Sequence, residues 1–503
     1  SLLRFCAWAV LVEGTGFGSS FGPMVAKYDP YCTAFRHFLR PGTVKIPSVP
    51  FLQPKSAFMD DIIGRTRTNI DVAAYAALLA HCLYTMAFAG SPIGLVALLV
   101  YFGFNDKGVY VATRADYYLP LLIVFCFAPE AWIAGVQFLQ LGIWIGAAVS
   151  KIGPWFPYVT AVMVSNSFTF RLKWFRELMY DRNAKRKPGQ FAVPLSPFCH
   201  MMTHGGTFTE LLFPTLCAVL PDSVRDFAVA LSLLFHTYIV LNVPIATPTE
   251  WNAVVMTVAA TMFNSSVPQF AGVGLPNLYN NFPALFAILM VLCVGIPILG
   301  NFFPHLVGFL CSYRYYAGNW PGSLFIVHKS VIEPKKFVTA MSSSSSDIHI
   351  NSLRRWYADD IINTLSGKAF AFRLMHWAGR VFPHLIEIAL PKEKNNNDSD
   401  PLWNDYVIIE GEVLTGLVLG HNFGDGYLSS ISLERSIQDR CKFKKGQMFH
   451  IEFDACAIHK PTQMEYRVAD VADGAENAIE VGVADLEAMV LKPTGGSNLK
   501  KCK

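Results

Sequence analysis

The chain has 503 residues, of which 52% are hydrophobic, 14% aromatic and 16% charged, against about 25% charged in an average soluble protein. That composition excludes a disordered or fibrous chain, and a formal net charge of only +4 without interleaved basic and aromatic residues argues against a nucleic-acid partner. The charge is also uneven: 45 of the 78 charged residues follow Tyr313 and five lie between Phe198 and Ser312, so the first part reads as built for lipid and the rest for water.

A spanning helix needs about 20 mostly apolar residues. In chain order the candidates are Leu2 to Phe21, Ile70 to Ala89, Pro92 to Phe104, Tyr118 to Ala128 running on to Glu130 through Ser150, Thr207 to Leu220, Asp226 to Ala246, Trp251 to Phe263, and Pro283 to Leu310. These amount to eight or nine crossings, several short or interrupted by Pro129, Pro214, Pro244 and Pro297. Such breaks are tolerated where protein or water satisfies the freed backbone groups. The loops Lys27 to Arg67 and Arg171 to Lys187 carry seven basic residues each. The crossing count puts both, with everything after Tyr313, on one face, the cytosolic or matrix-type side of a multi-pass membrane protein.

Beyond the last crossing, Ser342 to Ser346 reads as a flexible linker. Ser352 to Leu390, with Trp356, Ile361, Leu365, Phe372 and Trp377 at helical spacing, reads as amphipathic helix, and Lys392 to Asp400 as a charged tether. From Leu402 the pattern turns to short strands (Tyr406 to Glu412, Met448 to Asp454, Tyr466 to Val471, Ile479 to Val483) around a helix at Leu433 to Cys441. The expected fold is an all-α polytopic membrane bundle over 1–312, a linker and amphipathic region over 313–400, a small soluble α+β domain over 401–495 and a tail over 496–503. Eleven cysteines lack CxxC spacing and several lie in apolar stretches, which suits buried free thiols and not a disulfide framework. The chain opens at Ser1 without methionine, and loss of an upstream segment is expected.

Ionisable side chains in membrane helices cost several kcal/mol unless paired or hydrated, which singles out Glu13, Lys151, Glu210, His236 and Glu250-Trp251-Asn252. Glu250 at a helix start fits ordinary capping, Lys151 at a helix end fits snorkelling, and His236 fits a satisfied core histidine. Glu13 lies among glycines, where backbones approach closely. Glu210 sits inside an otherwise apolar helix and needs a partner; of Lys151, His204 and His236, Lys151 at the end of a glycine- and alanine-rich, closely packing helix is the first choice and His204, one turn back, the second. His200 and His204 share a helical face, but no glutamate follows the first, so interfacial histidines are expected and a metal is not. Gly14, Gly16 and Gly18 complete no dinucleotide fingerprint. In the tail, Asn422 and Asp425 of His421-Asn422-Phe423-Gly424-Asp425-Gly426 suit a tight turn or a ligand-binding carboxylate. His459, Lys460 and Gln463 form a second polar loop.

A set of collinear strings carries a resemblance: Arg40-Pro41-Gly42-Thr43, Val149-Ser150-Lys151-Ile152-Gly153, Met163-Val164-Ser165-Asn166, His204-Gly205-Gly206-Thr207 with Glu210, Glu250-Trp251-Asn252, Tyr316-Ala317-Gly318-Asn319-Trp320, Asn422-Phe423-Gly424-Asp425-Gly426, and Ile458-His459-Lys460 with Gln463. Together they resemble an uncharacterised transmembrane family best known from actinobacteria, over nearly the whole chain. What that implies is architecture. Lys151 and Trp155, followed by Gly205, Gly206 and Glu210, are also similar to the transmembrane portion of vitamin K-dependent carboxylase-like and small quinone-linked membrane proteins, which implies a lipid or isoprenoid quinone pocket lined by Lys151, Glu210 and His236.

Three functions follow as expectations. The first is an intramembrane lipid or quinone pocket with Glu210 and Lys151 as an acid/base pair. The second is an accessory subunit of a larger membrane complex, and the third a transporter, suggested by the proline-broken helices. Membrane lipids are the expected partners in each, and catalysis is left open.

Overall fold

The computed structural model describes residues 2–17, 34–47, 64–167, 171–185, 194–219, 222–242, 249–265, 275–332, 373–390, 405–411, 414–415, 431–474 and 477–494. The serine run, the charged tether, most of the expected amphipathic helix, and Asn422 and Asp425 lie outside the described residues.

Most of the chain is helical. The principal helices are α1 (Leu2–Thr15), α2 (Asn69–Phe88), α3 (Ile93–Asn105), α4 (Ala115–Val124), α5 (Pro129–Ser150), α6 (Phe156–Asn166), α7 (Pro197–Val219), α8 (Asp222–Asn242), α9 (Thr249–Met262), α10 (Leu275–Asn281) and α11 (Pro283–Phe302), the last containing one π-helical stretch at Val291–Gly295. Four are long and apolar enough to cross a membrane: α2, α5, Val224–Leu241 of α8, and α11. The helices α3, α4, α6 and α9 contain apolar segments too short for a full span. α11 and α7 differ from expectation at an end: α11 stops at Phe302, short of the expected Leu310. α7 begins at Pro197, ten residues before the apolar run, and Pro214 lies inside it without ending it.

In α5, 67% of the spanning window is buried within the protein, against 22–28% in the other three, so α5 is the central helix. It packs on α4, α7, α9, α10 and α11. Close approach rests on missing side chains: a Cβ at Gly142 would stand 2.9 Å from Cys293 Cβ, and one at Gly146 would stand 2.1 Å from the Tyr313 ring. Where α2 begins, Thr68 and Asp71 form a capping box, and Asp71 also accepts from Lys45 Nζ and Tyr101 O–H, each at 2.7 Å. Arg67 bonds Thr43 and Asp106 beside it. These ion pairs are fully buried, which fits charges that satisfy one another.

After the last span comes a six-stranded antiparallel sheet of order β2-β1-β3-β4-β5-β6, with β1 (Gly322–His328), β2 (Tyr406–Glu410), β3 (Met448–Phe453), β4 (Gln463–Asp470), β5 (Ala478–Asp485) and β6 (Val490–Pro493). The four strands expected from Tyr406 onward are present. β1, from the stretch expected as linker, was not foreseen, and it lies between β2 and β3. Both its faces are covered, which explains its unbroken Leu-Phe-Ile-Val run. Leu324 and Ile326 pack with Phe449, Ile451 and Tyr466 under α12 (Phe382–Ala389). Phe325 and Val327 join Leu433 and Ile437 of α13 (Ile431–Cys441) on the other face.

The sheet is docked on the helices. Trp155 and Tyr158, at the start of α6, belong to its core. The Asn319 amide clamps the Cys456 backbone, donating to its carbonyl at 2.8 Å and accepting from its N–H at 2.9 Å. Arg65 pairs with Asp439 of α13 at 2.9 Å, and Arg440 donates to the Gly42 carbonyl at 2.6 Å.

Candidate functional site

Lys151 follows the last turn of α5, where a cation complements the helix dipole. Its side chain and that of Glu210 on α7 are 7% and 5% exposed, and they form a direct, hydrogen-bonded ion pair. The partner that Glu210 requires is therefore Lys151, and not His204, which is exposed on α7 with its ring 6.4 Å from that of His200. The ammonium lies 5.3 Å from the centre of the Phe156 ring and 5.9 Å from that of Phe235, within the range where a ring face attracts a cation. Both aromatics, on α6 and α8, are half-buried, and Phe208 on α7 and Leu234 on α8 are 64% and 71% exposed.

Next to the pair on α8 is His236, which is fully buried. Trp144 of α5 donates its indole N–H to His236 Nε2 at 3.0 Å, and His236 Nδ1 meets Asn252 Oδ1 of α9 at 2.9 Å. Because an indole only donates, Nε2 accepts, so Nδ1 carries the hydrogen and the ring is the neutral Nδ1–H tautomer. Phe213 packs edge-on to Trp144 at 5.0 Å, and Trp251 packs on His236 at 6.0 Å and stacks on Tyr316 at 5.1 Å. Lys151, Glu210, His236 and Asn252 thus gather where α5, α7, α8 and α9 meet, in an aromatic shell. The arrangement holds one opposite-charge pair and one neutral imidazole away from bulk water, a setting in which a polar head of an otherwise apolar molecule finds both a donor and an acceptor.

The other sequence candidates lie elsewhere. Glu13 is buried in α1, which packs on α2, and the neighbouring Gly14 carbonyl accepts from Tyr75 O–H at 2.6 Å. The side chain of Glu250 is outside the described residues. His459 and Lys460 occupy the β3–β4 connection and Gln463 opens β4; in that connection the Ile458 N–H bonds the Asn301 carbonyl at 3.0 Å and the His459 ring stacks on Phe302 at 5.7 Å, at the end of α11. The His459 loop is thus part of the docking of the sheet on the last span.

Sequence reading passed over Trp144, the donor that fixes the His236 tautomer, and a second buried polar group, Arg114 and Asp116 at the start of α4. The signal for the latter was available: two opposite charges two residues apart between apolar stretches, displaced from attention because the crossing was begun at Tyr118.

A mostly helical chain with four helices of spanning length, buried ion pairs between its apolar helices and a small antiparallel sheet after the last span is an integral membrane protein. The chain belongs to the family described as transmembrane protein of unknown function (DUF3556), whose model matches residues 3–494. No curated protein and no solved structure matches it.

Proposed function

We propose that the protein binds a membrane lipid of the isoprenoid quinone class through its polar head, at the Lys151–Glu210 pair with His236 and Asn252 behind it. The observation that supports this reading is the position of the ammonium under two half-buried phenyl rings, Phe156 of α6 and Phe235 of α8, beside helices α7 and α8 that present Phe208 and Leu234 at the surface. Rotation of Phe156 and Phe235 opens the pair to the bilayer, and a carbonyl or hydroxyl head then exchanges with part of the ion pair. Glu210 accepts a proton from such a head and Lys151 donates one to it, while the Trp144 N–H, which needs the lone pair of Nε2, holds His236 in its neutral form. The test is mass spectrometry of lipids carried by the purified protein. Wild type is expected to retain a quinone-type lipid that Glu210→Gln and Lys151→Met lose while their melting curves stay cooperative. Retention by both variants, or no such lipid in the wild type, overturns the proposal.

A second reading, an accessory subunit, draws on the edge of the sheet. Among the described residues β6 pairs only with β5, and a groove of about 620 Å³ runs between it and α12, lined by His384, Glu387, Ile388, Val490 and Leu491. An open edge strand is a template for a further strand. Under this reading the Glu210 variants keep any lipid, and mild solubilisation releases the chain in a complex heavier than a monomer.

A further inference from the structure

We propose that a single water molecule is bound between α4, α5 and α11, bridging Asp116 and Tyr117, at a site separate from the Lys151–Glu210 pair. The chain leaves an internal cavity there of about 10 Å³, lined by Asp116, Tyr117, Pro120, Cys293, Cys311 and Tyr313 among others. One water needs roughly that much space and two or more polar partners. Asp116 and Tyr117 supply them. The Asp116 side chain is 4% exposed and Tyr117 3%, and neither Asp116 Oδ1 nor the Tyr117 hydroxyl has a hydrogen-bond partner among the described residues. A buried polar atom left in that state loses its hydration without return, and a water that donates to Asp116 and accepts from Tyr117 removes both defects.

Charge selects the occupant. Arg114 Nη2 lies 3.7 Å from Asp116 Oδ2, so the carboxylate is already balanced, and a metal cation would leave an excess positive charge in an apolar region. A neutral molecule that both donates and accepts suits the site better. The backbone explains why the space exists at this point. Pro120 has no N–H to offer the Asp116 carbonyl one turn back, and Cys293 sits in the π-helical stretch Val291–Gly295 of α11, a local widening of the helix that recurs at functional positions. Two helices depart from the regular ladder on either side of the same cavity.

Synchrotron X-ray radiolysis of the full chain in lipid nanodiscs, in heavy-oxygen water, tests this. Radicals formed from a bound water attack the nearest reactive side chains before they diffuse away. Tyr117, Cys293 and Cys311 are therefore expected to gain heavy oxygen well above Cys82, which is equally buried on α2, and the gain at Cys293 should fall in Tyr117→Phe. Labelling of Cys293 and Cys311 no greater than that of Cys82 overturns the proposal. So does labelling seen in choline chloride but abolished by sodium chloride, which assigns the cavity to a cation.

Discussion

His376 shows how one residue ties the sheet region to pH. Its Nε2–H is aimed at the Gly318 carbonyl, its Nδ1 accepts from the Ala378 N–H at 3.3 Å, and Trp320 stacks on the ring at 5.4 Å. Both nitrogens are used only by the neutral form. Burial, and secondarily the Arg373 charge, push its pKa from 6.5 down to about 3. Glu434 on α13 is the opposite type: burial favours its protonated form, but hydrogen bonds from His450 Nδ1 and Arg467 Nη1, both at 2.7 Å, outweigh it and hold the carboxyl at about 2, below its ordinary 4.5. Both pKa values are depressed on folding, so both contributions are present above the ordinary value and are lost as pH falls toward the folded one. The melting temperature of the purified chain is expected to hold above pH 6.5, to decline from 6.5 toward 3 as His376 charges, and to decline further below 4.5 as Glu434 protonates. His376→Gln should remove the first decline and keep the second. A melting temperature that rises on acidification contradicts both assignments.

At the scale of elements, the short turn between the last span and β1 decides how sheet and helices meet. Gly318 ends the 3-10 helix Arg314–Ala317 with φ 69°, in the left-handed region, and a Cβ there would stand 2.1 Å from Val159 Cγ2 of α6. A side chain at such a φ costs about 1–3 kcal/mol even where there is room, and here the backbone must also move away from α6. Gly318→Ala is therefore expected to lower the melting temperature by several degrees and to make Trp155 and Tyr158 more accessible to oxidation. Unchanged values for both would show that α6 yields without loss. The strands β2 to β5 and α13 were legible because each shows its own period and turn residues, whereas the four-residue edge strand β6 was not expected. β1 was not: seven residues with no alternation have no face to read, since cover on both sides is supplied by α12 and α13, far along the chain.

For the whole molecule, the consequence of β1 is that the sheet is completed only by residues that follow the last span directly. A fragment beginning at Leu402 loses β1, leaving β2 and β3, which do not pair with each other, without their common partner, and it loses the Asn319 clamp. Such a fragment is expected to show no cooperative melt, although the strand pattern from Tyr406 suggested a self-sufficient unit. A fragment beginning at Tyr313 restores β1 and should melt cooperatively. Equal behaviour of the two would mean that β2 re-pairs with β3 directly. The contacts Arg65–Asp439 and Arg440 to the Gly42 carbonyl also make the first basic loop and α13 neighbours, so this loop also anchors the sheet.

Sequence alone was enough for whatever depends on a run of neighbouring residues: the apolar lengths of α2, α5, α8 and α11, the basic loops, the period-two strands, and the cost that made Glu210 demand a partner. Lys151, at the end of a glycine- and alanine-rich helix that packs closely, led as its partner ahead of His204, but either meets the energetic requirement and only packing of α5 against α7 decides. The Trp144–His236–Asn252 bonds and the Asp116 cavity were further out of reach. Both arise where helices distant in sequence converge, and a buried atom's lack of a partner is a property of everything around it, not of the residue that carries it.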